Sequence, residues 1–151
     1  MEVRISASVG AVWKALTDEI GDWWPQDFYA GGEPEKRRYH LETQPGGRMY
    51  ESWEGGGGLL WATVVTVDPA KQLQVMGTTF PKWGGPSIWF GSWELAADGN
   101  ETILKFTEST VGRVSDSLAA QKDRGWKFLF GEALKCHIEG QPAPQWKEDS
   151  P

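Results

Sequence analysis

Along this chain the spacing of apolar residues changes near residue 36 and changes again near residue 115. Before the first point, Val9, Val12, Trp13 and Leu16 recur at i, i+3, i+4 and i+7 behind Ser8. That pattern, with a serine placed to cap it, predicts an amphipathic helix ending near Asp18, after a short strand "VRISA". The stretch "EIGDWWP" predicts a second helical turn stopped by Pro25, and "QDFYAGGEPE" a loop.

From about residue 36 the period becomes two. "KRRYHLET", "GRMYESWE", "LLWATVVTV", "QLQVMGT", "SIWFGSWELA" and "ETILKFTEST" read as strands. The breaks between them are Pro45-Gly46-Gly47, the four glycines Gly55 to Gly58, Asp68-Pro69, Pro81 to Pro86, and Asp98-Gly99-Asn100. Consecutive strands joined by short turns make an antiparallel meander rather than βαβ units. With the first strand the count is seven. The glycine tetrad, set between Trp53 and Trp61, is expected to form a wide, pliant hairpin tip.

The last element is predicted as one helix over residues 115–139. At 1.5 Å per residue it would be about 37 Å long, whereas a globule of this size has a radius of gyration near 15 Å (about that of a typical 150-residue domain). The helix must therefore cross the whole fold. Its apolar stripe is Trp126, Leu129, Phe130, Ala133, Leu134, His137 and Ile138, with Gly125 and Gly131 allowing close approach or a bend. A rod lying in a curved trough of strands leaves a gap, and that gap is the natural pocket. The expected organisation is one domain over 1–140, followed by a loose, proline-rich tail at 141–151 in which Trp146 is the residue placed to dock.

Composition narrows the functions. The net charge is −6, and the one dense basic cluster, at 35–38, begins with a glutamate. Phosphate backbones repel such a surface, so nucleic acid is not an expected partner. The single cysteine, Cys136, permits no intrachain disulfide and suits a reducing compartment. With no signal-peptide pattern and no apolar run of about 20 residues, a cytoplasmic protein without integral membrane association is expected. Ten tryptophans are more than a small core needs. Some are expected to wall a cavity.

The words "ASVGAVWKALTD" (7–18, with Val12-Trp13), "WWP" (23–25), "PGGRMYE" (45–51), "ATVVTVDP" (62–69), "SWELAADGNETILKFTE" (92–108) and "RGWKFLF" (124–130) occur in an order that resembles the START-like, or SRPBCC, superfamily. The likeness is to the branch similar to the C-terminal domain of the activator of Hsp90 ATPase, and it covers residues 3–139. It implies an α+β helix-grip fold: a seven-stranded curved antiparallel sheet around a long C-terminal helix, with two short helices between strands 1 and 2. The superfamily includes lipid binders, aromatase/cyclases and co-chaperone domains, so the resemblance leaves activity open.

Strand alternation assigns faces. Polar Glu94 and Lys105 mark the solvent side, which turns Trp89, Trp93, Leu104 and Phe106 inward, and Glu108 with them. Met49, Glu51 and Trp53 share the inward face of their strand. In the next strand the resemblance favours Leu60, Ala62 and Val64 inward over Trp61, Thr63 and Val65. The expected ligand-contacting set is therefore Met49, Glu51, Trp53, Trp89, Trp93, Phe106, Glu108, Trp126, Phe130 and His137. No pair of histidines, cysteine pair or His/carboxylate cluster has metal-ligand spacing, and no phosphate or dinucleotide fingerprint occurs, so neither metal nor cofactor is expected.

The leading reading is binding of a small hydrophobic or aromatic molecule between sheet and helix. An alternative is a cyclase, dehydratase or hydrolase using Glu51, Glu108 or His137 as acid or base. Another is a co-chaperone-like interaction domain for an Hsp90-type ATPase, or a homodimer, through outward-facing Ile88 and Phe90.

Overall fold

The computed structural model describes residues 1–147. Strand β1 (Glu2–Ile5) leads into α1 (Val9–Leu16) and the single turn α2 (Ile20–Trp23), and six strands follow: β2 (Arg37–Leu41), β3 (Arg48–Trp53), β4 (Gly57–Asp68), β5 (Gln72–Thr79), β6 (Ser87–Asp98) and β7 (Glu101–Gly112). All pairings are antiparallel, in the order β1-β7-β6-β5-β4-β3-β2, so β2 to β7 are a meander and β1 closes its far edge. The sheet curves into a half-barrel around the C-terminal helix. Among the described residues no helix is long and apolar enough to cross a membrane.

Local chemistry accounts for the boundaries. The Ser8 hydroxyl accepts the Ala11 amide at 3.3 Å and caps α1. That helix buries Val12, Ala15 and Leu16 and packs on the C-terminal helix at Leu134–Ile138. In β6 and β7 the period of two is strict: Trp89, Gly91, Trp93 and Leu95 are buried, as are Thr102, Leu104 and Phe106. Leu104 is wholly inaccessible, and truncating such a leucine to alanine costs about 2–5 kcal/mol.

The glycine tetrad behaves differently from the expected wide loop. Only Gly55 and Gly56 make the turn, with φ of 85° and 87°, values that other residues rarely adopt. Gly57 and Gly58 already belong to β4, opposite Trp53 and Ser52. A Cβ on Gly58 would meet the Glu51 carbonyl oxygen at 2.4 Å, and one on Gly57 the Trp53 ring at 2.8 Å. Added Cβ atoms on Gly31 and Gly32 would also crowd this ring, at 2.9 and 2.8 Å. Glycine stands beside tryptophan here because the indole needs the space of the missing side chain. Gly77 does the same for Trp89, whose ring would lie 2.4 Å from an added Cβ.

The C-terminal helix starts at the Ser115 cap, whose hydroxyl accepts the Leu118 amide at 3.2 Å. It runs as α3 (Asp116–Phe128), passes through a π-helical turn over Leu129–Ala133 containing Gly131, and ends as α4 (Leu134–Ile138). Ala133 at the end of that turn and Leu134 beyond it stay buried, and His137, one turn past Leu134, lies near the end of the helix. Its Nε2 faces the Glu19 carboxylate at 3.0 Å beside α1, with the side chain partly exposed. Beyond the helix, Trp146 packs edge-on against Phe28 and Phe128, at centroid distances of 5.1 and 5.0 Å. Residues 148–151 of the expected tail lie outside the described residues.

Candidate functional site

The trough between sheet and helix is filled at one end and hollow at the other. Trp126 marks the division. Its ring lies parallel to that of Phe130 at 5.6 Å on the filled side, and approaches Trp89 at 5.9 Å on the hollow side. The hollow is a cavity of about 570 Å³. Its sheet wall is made by Tyr39, Met49, Trp61 and Trp89, and its helix wall by Leu118, Lys122, Gly125 and Trp126. Trp24, stacked on Tyr39 at 3.9 Å, forms the inner end. The entrance passes between the β5–β6 connection, with Trp83 and Lys82, and the start of α3 at Ser115 and Ser117.

A bulge in β4 supplies one of these walls. Met49 pairs with Ala62 and Tyr50 with Leu60, so Trp61 is an extra residue without a partner on β3. The extra residue breaks the alternation. Ala62 and Val64 face the core as expected, but Leu60 is turned out and is 49% exposed, while Trp61 swings into the cavity wall. There its ring stacks on Trp83 at 5.4 Å. A second bulge at Val65, skipped between the pairs Val64–Val75 and Thr66–Gln74, leaves that residue exposed too.

Glu51 holds this wall from behind. It is completely buried, and its Oε1 accepts the Ala30 amide at 2.8 Å and the Trp61 indole N–H at 2.9 Å, while Oε2 accepts the Trp53 indole N–H at 2.7 Å. Three neutral donors from three segments converge on one carboxylate, which satisfies the buried oxygens without a cation. Tyr39 lies on the same wall; burial first, and the Glu51 charge second, raise its phenol well above the usual tyrosine range, so it stays protonated.

Glu108 is also engaged. Its Oε1 accepts from Thr110 at 2.6 Å and from the Lys122 ammonium, and its Oε2 accepts the Trp126 indole N–H. This cluster fixes Trp126 at the division of the trough and holds Lys122 on the cavity side, 5.5 Å above the centre of the Trp89 ring.

The residues singled out from sequence thus separate into groups. Met49, Trp89 and Trp126 line the cavity. Glu51, Trp53 and Glu108 stand behind its wall. Trp93, Phe106 and Phe130 form the packed end, with mutual centroid distances of 5.0 to 5.6 Å. His137 is remote from the cavity. Sequence reasoning missed Trp24, Tyr39, Trp61, Trp83 and Lys122. Lys122 was within reach: it lies four residues before Trp126, hence on the same helix face. Trp61 was not, because a bulge leaves no mark in an apolar run. Among the described residues no three His, Cys, Asp or Glu side chains are grouped to hold a metal.

No protein-family model matches the chain, and no curated protein matches it. Solved structures do. CalU16 from Micromonospora echinospora superposes with a TM-score of 0.63 at 21% identity, covering 95% of this chain and 74% of its own. DynU16, from the dynemicin biosynthetic locus, gives 0.70 at 23%, covering 98% of this chain; the chain spans 50% of DynU16. The Aha1 dimer from Colwellia psychrerythraea gives 0.59 at 24%, covering 92% of this chain and 93% of its own. Likeness at these identities carries the fold alone, and that fold, a curved seven-stranded sheet gripping a long C-terminal helix, is the START-like helix-grip fold.

Proposed function

We propose that the protein binds a small, mainly apolar molecule with a planar ring system in the cavity between α3 and strands β2 to β6. One observation carries this reading: the protein walls about 570 Å³ with indole and phenol rings and leaves it unfilled. That volume lies within the roughly 300–1,000 Å³ of small-molecule sites, and ring faces are suited to stack on planar guests. Any acid–base role for Glu108 would act through Lys122 and Trp126, which stand between it and the cavity. The reading is tested with 1-anilinonaphthalene-8-sulfonate and native mass spectrometry of the purified protein. Saturable dye fluorescence, quenching of tryptophan emission and a raised Tm are the expected results. A protein that takes up no dye, carries no adduct and shows no shift would defeat it.

A second reading rests on the convex face. Ile88 and Phe90 are each 47% exposed and Met76, paired with Phe90 across β5 and β6, is 44% exposed. Such a patch fits a partner protein or a second copy of this chain, as in the dimer reported for Aha1. Sedimentation of the wild type against Phe90→Lys checks it: a dimer that the lysine abolishes supports the homodimer, and a monomer at every concentration removes it.

A further inference from the structure

We propose that the guest of this cavity is an aromatic anion, an aryl carboxylate or an ionised phenol, whose negative group is received by Lys122. The inference rests on the cavity-binding reading and adds the chemical class of the guest. The chain carries a net charge of −6, yet among the described residues the cavity is lined by two lysines, Lys82 and Lys122, and by no carboxylate. Its other polar contributors, including Thr78, Thr79 and Gln121, are neutral. A cationic lining inside an acidic protein selects anions, and it does so most strongly where water is scarce.

The two lysines differ. Lys82 is at the rim, exposed, with its ammonium 4.1 Å from the centre of the Trp83 ring. Lys122 lies deeper, its side chain only 20% exposed. An ammonium has three N–H donors. One goes to Glu108, and among the described residues the other two have no protein acceptor. Lys122 balances the charge of Glu108, to which Thr110 and the Trp126 indole also donate, but Glu108 stands behind the lining while Lys122 forms part of it. The ammonium is thus oriented by Glu108 from behind and faces the cavity with donors to spare. Beside it, the Trp89 ring centre lies 5.5 Å from the ammonium, and the Trp126 ring lines the same cavity. Charge-assisted hydrogen bonds of this kind are about twice as strong as neutral ones.

The test compares 2-naphthoate with its neutral isostere 2-naphthamide by isothermal titration at pH 7 and low salt. In the wild type the carboxylate is expected to bind about tenfold or more tightly than the amide. Lys122→Met should lower carboxylate affinity about tenfold more than amide affinity, bringing the two to near equality, and Lys122→Arg should restore the preference. Equal binding of both probes to the wild type, or a preference that survives Lys122→Met, overturns the anion assignment while leaving the cavity reading standing. Loss of the preference in Lys82→Met instead would move the contact to the rim and overturn the role of Lys122. If neither probe binds the wild type at millimolar concentration, the cavity reading falls and this inference falls with it.

Discussion

The two ends of the trough are built from the same kinds of side chain and end in opposite states. At the β1–β7–β6 end, Trp93 and Phe106 of the sheet interlock with Phe130, Ala133 and Leu134 of the helix, all buried. At the other end, walled by β6 to β2, the sheet offers Trp89, Trp61, Met49 and Tyr39, but the helix answers with Gln121, Lys122 and Gly125. A rod in a curved sheet does not have to leave a gap, because this one is closed over half its length. The void follows from the helix sequence: its first half, "DSLAAQKDRG", withholds the large apolar groups that its second half, "WKFLFGEAL", supplies. Close packing is the default of protein interiors, so a space kept open by small and charged residues is a feature of the sequence.

This contrast can be broken most sharply at Trp93. Trp93→Ala should destabilise by about 3–5 kcal/mol, as for other large-to-small changes in tight cores. Urea unfolding would read that loss, and dye binding measured well below the lowered Tm should persist, since Trp93 does not line the cavity. Retained stability with lost binding would reverse the assignment of the two ends.

Glu51→Gln should cost about 1–3 kcal/mol, because the amide nitrogen turns toward an N–H donor and leaves it unpaired. The effect belongs to the hollow end: releasing Trp61 should shift tryptophan emission and weaken dye binding. Leu118→Trp should change stability by less than about 1.5 kcal/mol, since the larger ring grows into open space, yet abolish dye uptake. The smallest effect is expected at Glu19, whose carboxyl is held below its usual range by Lys14 first and His137 second. Its folded value is depressed, so its contribution is complete above the unfolded value near 4.5 and disappears as pH falls through the lower folded value. Glu19→Gln should cost less than about 1 kcal/mol at pH 7, lose even that in acid, and leave dye affinity unchanged.

Much of the fold was legible from periodicity alone. β6 and β7 have no bulge between them, and their alternation placed Trp89, Trp93, Leu104 and Phe106 on the concave face. The Ser8 cap and the long closing helix were equally visible. A bulge at Trp61 turned Leu60 outward, and a bulge does not alter the order of apolar and polar letters, so it does not show in a pattern of letters. His137 sits on the expected helix face but one turn past the buried Leu134, where it meets Glu19 instead of the cavity; which neighbour a stripe meets at its end is set by tertiary packing. The Glu51 hub was half legible: its inward direction followed from alternation, but its partner Ala30 comes from a loop 21 residues away.

The bare backbone beneath Trp89 has a consequence for whatever enters. With only hydrogen at Gly77, the indole lies directly on main-chain atoms of the sheet, which have no rotamers to exchange. Methionine-rich pockets remould themselves around many shapes; this one has a rigid floor whose height is set by the hydrogen-bonded strands. Differences in affinity among guests should therefore measure how well each guest's outline suits a fixed mould.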